Sequence, residues 1–127
     1  MPPSANDRDI RIIVVDDDPI VRDAIATALK GAPGIEVVAT AENGADAVSI
    51  VHERTVDVVL MDVQMPILDG VTATRRVRDV SPATSVLILT TFDDDTFLDG
   101  GLAAGASGFL LKTTPSEELI SAIHTIH

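Results

Sequence analysis

Short apolar runs alternate with stretches of helical spacing along this chain. "IRIIVV" (10–15) is β-branched and too short for a helix, so it predicts a strand. Pro19 suits a first helical turn and Asp18 its N-cap, and Val21, Ala24, Ile25, Ala28 and Leu29 then recur at helical spacing. Gly31, Pro33 and Gly34 end that helix. "IEVVATA" (35–41) predicts a second strand, and Asn43 can cap a helix running to about Arg54. "VDVVLM" (56–61) predicts a third strand, followed by a turn at "PILDG" and a helix near Val71 to Val80. "SVLILT" (85–90) predicts a fourth strand and Asp94 to Ala104 a helix. "GFLL" (108–111) predicts a last, short strand. The final helix opens at "TPSEEL", with Thr114 as N-cap, Pro115 at N1 and Glu117 at N3 of a capping box, and Leu119, Ile120, Ile123 and Ile126 form its apolar face.

Five strands alternating with five helices predict an α/β fold. Continuously apolar strands are buried on both faces, which calls for a parallel sheet with helices on each side and right-handed crossovers. Ligands of such sheets sit at the carboxyl ends of the strands. Strand one ends in Asp16, Asp17 and Asp18, and strand three in Asp62. Strand four ends in Thr90 and Thr91, and strand five is followed by Lys112. A parallel sheet brings these groups to one edge. Carboxylates crowded there repel unless a cation or proton intervenes. With oxygen ligands on offer a hard cation is favoured, and magnesium takes one or two carboxylates, several waters and phosphate oxygens. A lysine and a hydroxyl opposite would cradle a phosphoryl group, and a carboxylate can itself be the nucleophile. Asp18 is explained by the helix cap alone. Capping accounts poorly for all three neighbouring aspartates.

Composition narrows the partners. The chain has 127 residues, one domain's worth, with a formal net charge of -11. That balance argues against direct nucleic-acid contact by this segment. Three Phe and no Tyr or Trp leave little for base stacking. The absence of cysteine removes disulfides and thiolate metal sites and is compatible with a cytoplasmic setting. No apolar run is long enough to span a membrane. Residues 1–9 read as a flexible lead-in and 10–127 as the domain. His52, His124 and His127 read as surface residues.

The segments "VVDDDPIVR", "VVLMDVQMPILDG", "VLILTTFDD" and "GASGFLLKTTP" resemble, in order and spacing, the receiver domain of bacterial two-component response regulators. "LTTFDDD" and "AGASGFLLKTTPSEEL" are most similar to the subfamily with a LuxR-type helix-turn-helix output domain. The resemblance covers about residues 10 to 126. It implies a flavodoxin-like, doubly wound sheet in the order 2-1-3-4-5 and a non-enzymatic, phosphorylation-controlled switch in the cytoplasm. Asp62 would be the phosphoacceptor, taking its phosphoryl group from a sensor histidine kinase. Asp17 would ligate magnesium directly, Asp16 mainly through water, and Gln64 through its backbone carbonyl. Thr90 and Lys112 would bind phosphoryl oxygens, and Thr90 and Phe109 would be the switch residues. A homodimer on phosphorylation and a DNA-binding domain beyond His127 are further implications, under which this chain is expected to be a piece of a longer regulator, with a natural stand-alone receiver as the alternative.

Two rival readings fit the residues less well. An aspartate-nucleophile phosphohydrolase of the haloacid-dehalogenase type needs a D-x-D-x-T pattern, and this chain reads "DDDPI" there. A receiver-like binding module that is never phosphorylated would be expected to lack the acidic pair, the acceptor or the lysine, and all are present. Gly100 and Gly101, side by side in the fourth predicted helix, mark residues 94 to 104 as the expected least stable helix.

Overall fold

The computed structural model describes residues 9–63, 68–90 and 104–127. In chain order the elements are β1 (Ile10–Val15), α1 (Pro19–Lys30), β2 (Ile35–Ala41), α2 (Gly44–Glu53), β3 (Val58–Asp62), α3 (Gly70–Val80), β4 (Ser85–Thr90), β5 (Gly108–Leu111) and α4 (Ser116–Ile126). The strands form one sheet in the order β2-β1-β3-β4-β5, and every neighbouring pair is parallel. This is the doubly wound, flavodoxin-like order expected. Four of the five expected helices lie among the described residues. Of the helix expected at 94 to 104 only its last residue, the buried Ala104, lies among them; residues 94–103, with the Gly100–Gly101 pair, and most of the expected lead-in fall outside.

Strand periodicity divides the core in two. Ile10, Ile12 and Val14 of β1, with Val58 and Leu60 of β3, face Ala26 and Leu29 of α1 and Leu119 and Ile123 of α4. The alternate residues Ile13, Val15, Val59 and Met61 face Ala47 and Val51 of α2 and Ala73 and Val77 of α3. The inner strands β1, β3 and β4 are thus buried on both sides, which is why they read as almost unbroken apolar runs, while the edge strands β2 and β5 are only partly covered.

The caps do the local work. Asp18 accepts from the amides of Ile20 and Val21 at 2.9 and 3.4 Å, and Asn43 from that of Asp46 at 2.8 Å. Asp69, expected only as part of a turn, caps α3 by accepting from the Thr72 amide and hydroxyl, both at 2.9 Å. The capping box expected at Thr114 does not form. Pro115 occupies the N-cap, no side chain caps α4, and its carbonyl accepts from the amides of Glu118 and Leu119. Thr114 is turned back instead, its amide donating to Leu111, so the helix opens one residue later than the Pro-at-N1 pattern suggested. The β1–β2 register slips by one residue between Ile12 and Ile13. The skipped residue, Val38, gives its carbonyl to the Arg54 guanidinium at 2.7 Å.

Candidate functional site

The register of the sheet assembles the site. Val15 lies opposite Met61, so the residues that follow them, Asp16 and Asp62, come side by side at the carboxyl edge. Asp62 in turn lies opposite Leu89, and Thr90 opposite Leu111. The Lys112 amide donates to the Thr90 carbonyl at 2.7 Å, carrying the lysine onto the same edge.

Asp16 is 1% and Asp62 4% exposed, and Asp17 is exposed. One oxygen from each of the three carboxylates lies within 4.8 Å of the others. The Lys112 ammonium bridges two of them, 2.8 Å from Asp16 Oδ2 and 3.2 Å from Asp62 Oδ1. Burial lowers the lysine pKa. The hydrogen bond Lys112 donates to Asp16 and the charges of Asp62 and Asp16 outweigh that and leave it raised above 10.5. Three carboxylates against one ammonium leave two negative charges without a counter-charge from Lys112. An all-oxygen donor set with that excess suits a hard dication, and the exposed Asp17 gives it an approach from solvent.

Asp16 is held on every side. Its amide donates to the Ala41 carbonyl at 3.1 Å, and its Oδ1 accepts from the Asp18 amide at 2.9 Å. Its carbonyl accepts from Arg22 Nη1 at 2.9 Å. With Oδ2 on Lys112, the buried carboxylate meets its hydrogen-bonding needs within the protein.

The fold therefore brings together Asp16, Asp17, Asp62 and Lys112, with half-buried Thr90 at the adjoining end of β4. Phe109 is half-buried on β5 opposite Ile88 and packs against the α2–α3 side of the core. Gln64 and Thr91 lie outside the described residues. Three residues had no site role in the sequence reading. Arg22 is a second-turn helix residue whose side chain runs back toward the helix start, the direction helix geometry favours. Gly70 donates its amide to the Val63 carbonyl at 3.1 Å, and a Cβ there would collide with the Asp62 carbonyl oxygen and lie 2.7 Å from Val63 Cα. Asp69, whose cap starts α3, belongs to the same joint. The Asp-Gly pair was legible as a turn. Its role of seating α3 against the backbone of Asp62 was not.

Residues 12–124 match the response regulator receiver domain family. The chain is 40% identical over 118 residues to the transcriptional regulatory protein LnrK of Bacillus subtilis (strain 168), covering 93% of this chain and 54% of that protein. It is 41% identical over 119 residues to the oxygen regulatory protein NreC of Staphylococcus aureus, covering 93% and 55%. The chain thus spans about half the length of the curated relatives it matches. Among solved structures, the signal receiver domain of the response regulator NarL from Mycobacterium tuberculosis superposes with a TM-score of 0.88 at 32% identity, covering 93% of this chain and 95% of that one. A LuxR-family two-component response regulator from Aurantimonas sp. SI85-9A1 gives 0.86 at 37% identity, covering 93% and 84%. Sequence, sheet order and the placing of acidic residues at the strand ends agree, and the chain belongs to the response regulator receiver domain family.

Proposed function

We propose that this receiver accepts a phosphoryl group on Asp62 from a phosphohistidine of a sensor histidine kinase and passes the change to an output that regulates transcription. The observation that carries this reading is the buried Asp62 carboxylate, 3.2 Å from Lys112 and grouped with Asp16 and Asp17. A carboxylate oxygen of Asp62 attacks phosphorus, the P–N bond breaks, and the imidazole leaves with the bonding pair. Lys112 and the Thr90 hydroxyl receive the phosphoryl oxygens, and Lys112 offsets charge on the group in transfer. Asp17, Asp62 and the Gln64 backbone carbonyl would hold magnesium directly. Asp16, whose oxygens already serve the Asp18 amide and Lys112, would act through water. Bound magnesium supplies charge neutralisation at the reacting oxygens.

Connectivity supports a switch role for Thr90 and Phe109. Thr90 ends β4 beside β5, where Ile88 pairs with Phe109, so drawing the Thr90 hydroxyl toward a phosphoryl group loads the strand ends next to Phe109. In this reading the domain catalyses only its own phosphotransfer and self-dephosphorylation. Its place is the cytoplasm, and it pairs with a second copy when phosphorylated. No helix among the described residues is long and apolar enough to cross a membrane.

Acetyl phosphate with magnesium tests the chemistry. Intact-mass spectrometry is expected to show one added phosphoryl group on the parent and none on Asp62→Asn. Equal labelling of both would overturn the assignment.

A further inference from the structure

Arg22 touches no reacting group in the mechanism above, yet it is tied to the acidic loop. From α1 its Nη1 donates to the Asp16 carbonyl, six residues back along the chain, at 2.9 Å. That carbonyl belongs to the peptide joining Asp16 to Asp17. A peptide unit is planar, so holding its oxygen also fixes the amide and Cα of Asp17. The other three attachments of Asp16 act on its own amide and its carboxylate. Asp17 is exposed and lies between β1 and α1, outside either ladder. Asp17 therefore hangs between two held peptides, the preceding one gripped at its oxygen by Arg22 and the following one tied through the Asp18 amide to Asp16 Oδ1, and among the described residues Arg22 is the one side chain outside the acidic run that holds either.

The surroundings suit an arginine. The half-buried side chain lines a solvent-open hollow of about 230 Å³ together with Thr40, Ala41, Glu42 and Asp46. Two acidic residues in that lining favour a cation that never deprotonates, and a guanidinium keeps further donors for water.

We infer that Arg22 is a positioning residue of the acidic site: by holding the Asp16–Asp17 peptide it aims Asp17 at the space between Asp17 and Asp62. Its consequence for cation binding rests on the magnesium reading above. Its consequence for the loop does not.

The two consequences are measured separately on the parent, Arg22→Met, which keeps a long stem without donor or charge, and Arg22→Lys, which keeps a donor and the charge. In metal-free protein, hydrogen exchange at the Asp17 and Asp18 amides should speed up in Arg22→Met while amides in the middle of α1 stay protected. Magnesium affinity, read by titration calorimetry, should weaken about tenfold in Arg22→Met, the low end for loss of a group that orients a ligand. Arg22→Lys should recover part of both. If Arg22 acted only through its charge, removing a cation beside a dication site would tighten magnesium binding, and that result overturns the inference. So does unchanged exchange at both amides. An Arg22→Met protein with a lower melting temperature but parental affinity and exchange would make Arg22 a structural anchor only and equally overturn it. If the parent itself binds no magnesium, the magnesium reading fails and the exchange measurement alone decides the positioning role.

Discussion

Lys112→Met probes the charge balance of the site. The substitution keeps a long, flexible stem and removes the ammonium that lies 2.8 Å from Asp16 and 3.2 Å from Asp62. Those side chains are 2% and 5% exposed, so both carboxylates stay behind in a poorly hydrated place. Removing one partner of a fully buried pair costs about 3–5 kcal/mol. Lys112 is 15% exposed and Asp17 opens the cluster to water, so the expected loss is about 2–4 kcal/mol in metal-free protein. For a domain of this size that is a melting drop of about 8–15 °C. The raised lysine pKa keeps the ammonium charged below 10.5, and its contribution fades only as pH climbs past that value, so a neutral buffer reports the full effect. With no Trp or Tyr, the melts are read by far-ultraviolet circular dichroism. On the magnesium reading, the ion at ten times its dissociation constant would add about 1.4 kcal/mol to the parent. It should add more to the variant, where the dication meets a larger uncompensated charge. Adding Asp16→Asn removes one stranded charge while its remaining amide oxygen can still accept from Asp18, so the double variant should regain at least about 1 kcal/mol. A metal-free loss below about 1 kcal/mol, or a magnesium shift smaller than the parent's, would refute the idea that Lys112 is the counter-ion of this site.

Gly70→Ala should cost about 3 kcal/mol in urea denaturation, because the new Cβ meets the backbone of Asp62 and Val63, which cannot move aside as a side chain could. Asp69→Ala should cost about 1 kcal/mol at pH 7 through loss of the α3 cap. Although burial opposes it, hydrogen bonding from Thr72 leaves the Asp69 carboxyl below its ordinary 3.8, so its charged-state stabilisation is present above 3.8 and is lost as pH falls through the lower folded value. Melts of parent and variant should therefore converge in that acid range and stay apart above it.

The features that were legible in the sequence share a cause. Strands buried on both faces have no alternative to unbroken apolar runs, and residues that close a parallel strand end must meet at one edge. Hence the grouping of Asp16, Asp17, Asp62 and Lys112 is legible in the sequence, while the sheet order comes from family resemblance and not from periodicity. What escaped depends on backbone partners. Arg22 reaches a carbonyl, and a carbonyl looks the same at every position of a sequence. Gly70 matters for what a missing Cβ leaves room for. Val38 carries the register slip that Arg54 satisfies, and nothing in "IEVVATA" distinguishes it. Thr114 was misplaced by one residue because a proline serves at N-cap as well as at N1, and only the carbonyl partners of the following amides tell the two apart.

The run Asp16-Asp17-Asp18 shows how three identical side chains in a row can be made unequal. Asp18 turns into the start of α1 and spends its charge on two orphan amides, a gain of about 1 kcal/mol available to any helix. Asp16 points into the protein, where a bare carboxylate would be too costly to keep, and survives because the Asp18 amide and Lys112 each take one of its oxygens. The Asp18 amide is free to do so because it precedes the helix that Asp18 caps. Capping and burial are thus one arrangement: the turn that lets Asp18 cap α1 also aims its amide back at Asp16. Asp17, between them, is left exposed, and a charge left in water keeps its affinity for an incoming cation. Moving the run one residue toward β1 would bury a carboxylate at position 15 and uncap the helix, and moving it one residue toward α1 would keep the cap but take the carboxylate away from position 16. The exposed middle aspartate is a consequence of how its neighbours are held.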